Sequence, residues 1–473
     1  EDFSNIKKIF KYFNYNFNIS YSQIIKVIHE LIDNSSYPKV ILSNKLWYKA
    51  KKIIPNGNML LSKSPDLISP KKWPAYFSKA KGCYIWDIDN NKYIDFSYMG
   101  VGTNILGYAN KEIDMKVKEA IDKSTVSSLN CPEEVYLANK LLSLHKWADK
   151  VKFARSGGEA NAIAIRIARA YAKNDKIAIC GYHGWHDWYL STNIQNSNSL
   201  NNHLIKGLKI EGVPKKLKNT VFPFRYNDFD TLLKLIDQKK IGIVKMEVMR
   251  NEYPKNNFLE KVRDICNKKG IILIFDECTS GFRETFGGLH LKFKIFPDLA
   301  IFGKSLGNGY PITAVIGKEK IMNAATKTFI SSTFWTERIG NVASLKTLEI
   351  MKREKSWEKI SKIGTSLKTK ITNLAKKNNL DIEFKGLASL FIFNIKSIHG
   401  RDYKNVITNE MLKNKILATN AIYLSISHNP KIVNFYLKNL NQVFSLINIL
   451  EKKKIMPKKY SNKPKVLKFE RLN

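Results

Sequence analysis

Lys304 and Asp276 are the residues of this chain whose types and settings point most directly to chemistry. Asp276 follows the apolar run Ile271–Phe275, and Lys304 comes one glycine after the apolar run Leu299–Phe302. Each run is shorter than the ~10 residues of a helix and rich in strand formers, so each reads as a buried strand. Open α/β sheets gather ligands outside the carboxyl ends of their strands, where both residues then sit. A primary amine there can condense with a carbonyl, and a carboxylate can keep a heteroaromatic nitrogen protonated. Taken singly, each is an ordinary surface lysine or turn aspartate; the pair gains its meaning from its surroundings.

One chemistry uses both groups at once. Pyridoxal phosphate is held by a lysine as a Schiff base, and its ring nitrogen needs an acidic partner to act as an electron sink. Lys304 is assigned the imine and Asp276 the ring nitrogen. The small residues Ser156, Gly157 and Gly158, followed by Glu159, Ala160 and Asn161, open the periodic run Ala162–Ala172. Free N–H groups and a positive dipole end suit a phosphate, although such a loop alone reads first as a plain Gly-rich cap. The strand Lys176–Cys180 is followed by Tyr182, His183, His186 and Asp187. An aromatic ring at a strand end can lie flat on a pyridine ring. The H-x-x-H-D spacing lacks a supporting cluster, so no metal is assigned, and His183 is read as a hydrogen-bonder close to the lysine.

The whole run KGIILIFDECTSGFRETFGGLHLKFKIFPDLAIFGKSLGNGYP, Lys269 to Pro311, resembles the class III aminotransferases of the fold-type I pyridoxal-phosphate enzymes, close to glutamate-1-semialdehyde aminomutase and its relatives. Ser156–Ala160 is similar to the family's phosphate loop, Tyr182-His183-Gly184 to its YHG motif, and GCYIWDIDNNKYIDF, Gly82–Phe96, to its early hairpin signature. The matching motifs run from about Gly82 to Pro430. The resemblance implies an α/β fold of type I, with a large mostly parallel-sheet domain and a smaller α/β lobe. It implies Lys304, Asp276 and Tyr182 as catalytic residues. Ser156, Gly157, Gly158, Tyr182, His183, Asp276, Lys304 and Thr333 would bind pyridoxal 5′-phosphate. Thr333 would serve the neighbouring subunit's phosphate, which implies a homodimer with shared sites. The activity implied is amino transfer from a small-molecule amino donor to a carbonyl acceptor, with the aminomutase reaction as the alternative.

Four positions depart from the family pattern, and the first two bear on the substrate. The aminomutase holds its substrate carboxylate with an arginine in the loop that corresponds to Pro55–Pro70; here the loop offers Lys63, a point charge rather than a bidentate fork. Phe334-Trp335-Thr336-Glu337 stands where the aminomutase has small residues. Glu247 is followed by Val248 rather than proline, which weakens its transfer from the family. Cys278 replaces an aliphatic residue and reads as a small buried hydrophobe. Arg283, beside the catalytic strand, could hold an acidic group or a loop, and reads first as a structural ion-pair residue. Together with the amino-terminal stretch, the departures at the Pro55–Pro70 loop and at Phe334-Trp335-Thr336-Glu337 point to a keto or aldehyde sugar, or a similar polyhydroxy carbonyl, of surface-polysaccharide synthesis as acceptor. That stretch, about 35 residues with helices at Asp2–Phe13 and from Ser20 or Ser22 to Ile32, resembles the end of a cytidylyltransferase domain.

The elements that must position these residues belong to a globular chain: 473 residues with 44% hydrophobic and 11% aromatic content leave room for a second lobe. The expected division is 1–40 helical segment, 41–110 first part of the small lobe, 111–345 cofactor domain and 346–473 carboxyl-terminal domain. The formal charge is +38, but its lysines are spread along the chain rather than gathered into a nucleic-acid footprint. The basic tail Lys452–Lys468 reads as solvated. Five scattered cysteines without metal spacing fit a reducing cytoplasm. No apolar stretch approaches the ~18 residues of a membrane span. Helices are expected at Leu46–Lys52, Asn110–Ile121, Pro132–Leu144, Asn257–Lys269, Gly340–Met351, Glu410–Leu417 and Pro430–Ile449. Further strands are expected at Ile241–Val248, within Glu383–Ile395 and at Ala421–Ser427, the last ending at His428.

Overall fold

The two apolar runs that end in Asp276 and near Lys304 become neighbouring parallel strands at the centre of a seven-stranded sheet. The computed structural model describes residues 23, 36–201, 203, 205–206, 209–454, 456–457, 460 and 470–471. The two amino-terminal helices expected before residue 36 and most of the basic tail lie outside the described residues.

In chain order the strands are β1 (Phe77–Lys81), β2 (Tyr84–Asp87), β3 (Lys92–Phe96), β4 (Lys150–Ala154), β5 (Ile177–Cys180), β6 (Ile205–Lys206), β7 (Val221–Pro223), β8 (Ile243–Glu247), β9 (Ile272–Asp276), β10 (Leu299–Phe302), β11 (Thr313–Gly317), β12 (Ile382–Gly386), β13 (Leu390–Ile395), β14 (Ile416–Ala418), β15 (Ala421–Tyr423) and β16 (Glu470–Arg471). The large sheet has the order β4-β11-β10-β9-β8-β5-β7. Its strands pair in parallel from β10 to β7, and β11 is antiparallel to both its neighbours. The α/β architecture with a mostly parallel central sheet is as expected. β8, β9 and β10 read as continuous apolar runs because both faces are covered: every residue of the three strands is buried.

One face of the sheet packs on helix Gly157–Ala172, whose buried side is Ala160, Ile163, Ala164, Ile167 and Ala168. The opposite face joins Leu273, Phe275, Ala300 and Phe302 to the main core. β2 and β3 form the expected hairpin, β1 adds to β2 antiparallel, and β14 adds to β3 in parallel, Ile416 opposite Ile94. The amino- and carboxyl-terminal regions therefore share one four-stranded sheet. A further sheet has the order β12-β13-β15.

The structure corrects three element boundaries. The strand expected over Ala421–Ser427 ends at Tyr423, where its pairing with β13 stops at Leu390, the first residue of that strand. Helix Ile41–Ile53 starts five residues before the expected Leu46, because Asp89 in the hairpin turn accepts the N–H groups of Leu42 and Ser43 at 2.7 and 2.9 Å. That cap is remote in sequence and leaves no local signal. The helix expected at Glu410–Leu417 is instead Gly400–Lys413 followed by β14; its last apolar residues, Ile416 and Leu417, serve the shared sheet. Among the described residues, no helix is long and apolar enough to cross a membrane.

Candidate active site

Parallel pairing aligns the strand ends that carry the chemistry. Glu247 at the end of β8 pairs with Asp276 at the end of β9, and Asp276 pairs with Ile301, three residues before Lys304. Lys304 opens a 3₁₀ turn with φ +46°, a left-handed conformation that costs a non-glycine residue energy and is found at functional sites. Its Nζ donates to Thr279 Oγ1 at 2.7 Å. Burial and the nearby Arg250 cation push the Lys304 pKa down to about 8.

Asp276 is 4% exposed. Its Oδ2 lies 2.9 Å from His183 Nδ1 and 4.0 Å from Lys245 Nζ, while Oδ1 accepts the Cys278 N–H at 3.1 Å. Burial alone would raise this carboxyl's pKa, but Lys245 and His183 outweigh it and hold the group well below the usual carboxylate range. Burial, reinforced by Lys245, lowers the pKa of the His183 ring. Glu247 accepts two bonds from Arg250, at 2.9 and 3.1 Å, and the Tyr182 N–H at 3.1 Å. The Arg250 guanidinium stands 6.0 Å from the Tyr182 ring. Gly181, at φ +112°, makes room for this pair: a Cβ there would sit 2.5 Å from Glu247 Oε2.

The phosphate-type loop is built as a capping box. Ser156 caps helix Gly157–Ala172 and Glu159 bonds back to the Ser156 N–H at 2.7 Å. The N–H groups of Gly157 and Gly158, in the first turn, have no intrahelical acceptor. A Cβ on Gly158 would meet His186 Cε1 at 2.7 Å, so the Gly181–His186 segment folds over this helix end. Trp335 Nε1 reaches Glu159 Oε1 at 3.1 Å. The Thr333–Thr336 turn thus lies beside the same helix end, while Thr333 itself is exposed. Ser156, Gly157, Gly158, Tyr182, His183, Asp276 and Lys304 therefore belong to elements that meet around the strand ends; Thr333 alone stands on an exposed turn.

Several residues depart from expectation. Arg283 has no ion-pair partner among the described residues: it is 1% exposed, and it donates to the carbonyls of Thr279 at 2.7 Å and Gly102 at 2.5 Å. Burial lowers its pKa to about 10. This arginine ties the Lys304 neighbourhood to the Tyr98–Leu106 segment, and Asn308 adds a second tie by accepting the Leu106 N–H at 2.9 Å. His428 is fully buried, with Nε2 2.8 Å from the Asp95 carbonyl, which makes it structural. His186 stacks on Trp185 at 4.4 Å, and among the described residues no group of three metal-ligating side chains occurs. Lys63 is exposed at the end of a short 3₁₀ turn.

Thr279, Lys245 and Arg250 escape a reading by sequence. Only Lys245 leaves a signal there, a lone charge inside the apolar run IGIVKMEV.

The family model for class-III aminotransferases matches residues 68–410. A 3-aminobutyryl-CoA aminotransferase of Cloacimonas acidaminovorans is 33% identical over 380 residues, covering 78% of this chain and 87% of its own. A glutamate-1-semialdehyde 2,1-aminomutase of Sulfurisphaera tokodaii is 31% identical over 429 residues, covering 86% of this chain and 100% of its own. Among solved structures, the FumI protein of Sphingopyxis sp. MTA144, in its PLP internal aldimine form, superposes with a TM-score of 0.78 at 24% identity. It covers 88% of this chain and 98% of its own, a likeness of fold.

Proposed function

The chain belongs to the class-III aminotransferase family, and from that premise we propose that it is a pyridoxal-phosphate-dependent aminotransferase. The observation that carries this reading is the placement of the Lys304 turn and Asp276 at the ends of adjacent parallel strands, with Asp276 buried and neither group paired with the other. The surroundings fit the cofactor. A desolvated amine with its pKa near 8, a carboxylate held ionised, an aromatic ring and two first-turn glycine N–H groups are what an aldehyde, a ring nitrogen, a ring face and a phosphate require.

Bound pyridoxal phosphate supplies a carbonyl that amines condense with and a ring that accepts electrons when the substrate loses its Cα proton. The protein supplies the rest. Lys304 Nζ would hold the cofactor's aldehyde and, when free, would move the proton at the substrate Cα; its lowered pKa leaves it partly unprotonated near neutrality. Thr279 Oγ1 orients that nitrogen. Asp276 keeps a proton on the ring nitrogen, and His183 fixes the carboxylate's orientation. Tyr182 covers one ring face. Gly157 and Gly158, with the Ser156 loop, hold the phosphate, and Thr333 of a second copy completes it in a homodimer. Phe329 and Phe334, 86% and 69% exposed on either side of Thr333, support that assembly.

The donor is an amino acid, and the acceptor a carbonyl compound for which we favour a keto or aldehyde sugar. The exposed Lys63 and the absence of arginine from Pro55–Pro70 support an acceptor other than glutamate-1-semialdehyde. The aminomutase reaction is the second reading, favoured by the full-length similarity to the Sulfurisphaera enzyme. A half-reaction screen tests both: amino donors convert the bound cofactor to its amine form, followed by absorbance, and sugar carbonyls or glutamate-1-semialdehyde are then added.

A further inference from the structure

Lys245 is out of place in its surroundings. It is 0% exposed in the middle of β8, paired in register with Ile179 of β5 and Ile274 of β9. It shares its sheet face with Ile243 and Glu247, by the two-residue period of a strand. Among the described residues its Nζ has no hydrogen-bond partner, and Asp276 Oδ2 stands 4.0 Å from it. That oxygen is already engaged by His183 Nδ1 at 2.9 Å. A buried ammonium without a hydrogen bond is destabilising, and an apolar side chain of similar volume would serve packing better. What the position does gain is proximity to Asp276.

We propose that Lys245 is a second counter-ion of Asp276: Lys245 carries its proton while the site is empty and releases it to solvent when pyridoxal phosphate, arriving with its ring nitrogen protonated, takes over the carboxylate. Lys245 then acts as a positioning residue for charge. It keeps Asp276 ionised before cofactor arrives, and it makes cofactor uptake release a proton. The inference rests on the proposed role of Asp276 as ring-nitrogen partner.

The other groups facing Lys245 do not replace it. Glu247, on the same strand, is engaged by Arg250 and the Tyr182 N–H. Burial pushes the Cys278 thiol well above its ordinary pKa, so it is neutral near pH 7. His183, beyond β5, is the other titratable group on Asp276 among the described residues. The buried side of helix Gly157–Ala172 above this face contains alanines, isoleucines and Asn161, without a titratable group. Burial lowers the Lys245 pKa to about 8, with Asp276 opposing the fall, which puts proton loss within reach of a second cation nearby.

Calorimetric titration of the apoprotein with pyridoxal 5′-phosphate, at pH 7 in two buffers of different ionisation enthalpy, counts protons released. The wild type is expected to release about one proton more than Lys245→Met, and its cofactor affinity to rise by up to about tenfold more per pH unit below pH 8. Lys245→Ile gives a second apolar variant should the first fold poorly. The difference should survive in a His183→Gln background, which removes the alternative proton source. Equal proton counts in wild type and variants, with the lysine-bound cofactor band present in all, would overturn this inference alone. Absence of that band from the wild type would remove the aminotransferase reading itself.

Discussion

Glu247 and Asp276 stand side by side, paired in register at the carboxyl ends of adjacent parallel strands, yet they serve different partners. Glu247 is engaged by Arg250 and the Tyr182 N–H, and Asp276 by His183 and Lys245. Two carboxylates one strand apart would repel in a buried site; a separate cation beside each offsets that repulsion. That division leaves Asp276 charged, as its proposed role as ring-nitrogen partner requires, and keeps Arg250 near the Tyr182 ring.

Asp276 should therefore matter more to chemistry than to folding. Asp276→Asn preserves the shape but removes the charge proposed to hold a proton on the ring nitrogen. We expect Lys304 still to bind cofactor, and kcat to fall by roughly 10²–10³, the loss typical of one preorganised electrostatic group. Borohydride reduction followed by peptide mapping checks the attachment. If the reduced cofactor sits on a peptide lacking Lys304, both assignments are wrong.

Breaking the second pair should cost stability. Arg250→Met leaves Glu247, 5% exposed, without its cation, and removing one member of a buried pair costs roughly 3–5 kcal/mol. The double variant Arg250→Met with Glu247→Met should recover much of that loss. Chemical denaturation of the three proteins measures it; a double variant as unstable as the single one would show that packing, not charge, holds this corner.

The lowered lysine pKa values give apoprotein stability a definite slope with pH. Between about 8 and the ordinary 10.5, the unfolded chain keeps protons on Lys245 and Lys304 that the native state has released. The unfolded state binds more protons, so these groups make stability rise with pH across that window. Below pH 8 both states are protonated, and burial of the charged lysines is a standing penalty. Lys245→Met should raise the thermal midpoint of the apoprotein, with the larger gain at pH 7 than at pH 10. A uniform gain at both pH values would show that the lysine is not titrating there.

Much of this site is legible because strand ends are marked in sequence. Ile271–Phe275 and Leu299–Phe302 are short apolar runs, and the residues just beyond such strands face ligand in any open α/β sheet. The capping box Ser156 to Glu159 is equally local. Arg283 is different: its partners, the carbonyls of Thr279 and Gly102, carry no residue-type signature, so an ion pair is the natural but wrong expectation. Arg250 lies only three residues from Glu247, but that spacing pairs side chains in a helix, and here a turn after β8 does so. β14 merges with a helix when read by pattern, because a three-residue strand inserted beside β3, over three hundred residues away in sequence, is set by tertiary pairing alone.

Assembly is checked at the turn that carries Thr333. A hollow of about 720 Å³ beside it is lined by Val117, Ile121, Pro311, Phe334 and Ile339 among others, an apolar surface suited to a second copy. Thr333→Ala should weaken cofactor retention several-fold and leave the absorbance of the cofactor still bound unchanged. Phe334→Asp should shift the protein toward monomer in light scattering and lose cofactor in parallel. A fully active monomer would rule out shared sites.

Which carbonyl the enzyme accepts turns on how a carboxylate would be anchored. Glutamate-1-semialdehyde is small, with one carboxylate to hold, and a bidentate arginine is the contact that fixes such a group in register. The Pro55–Pro70 loop has none. Its one corresponding cation, Lys63, is exposed, and Met59 beside it is 84% exposed, so the loop presents no closed carboxylate cradle. Arg250, the cation that most lowers the Lys304 pKa, is already engaged by Glu247. We therefore expect an external amino donor such as glutamate to be required. Incubation of the amine-form enzyme with glutamate-1-semialdehyde should give 5-aminolevulinate far below the roughly 1–10³ s⁻¹ typical of enzymes on their own substrates. Lys63→Ala should leave the rate with the true acceptor almost unchanged, as befits a solvated loop residue. Rapid 5-aminolevulinate formation without an added donor, abolished by Lys63→Ala, would instead make Lys63 the carboxylate anchor and the chain an aminomutase.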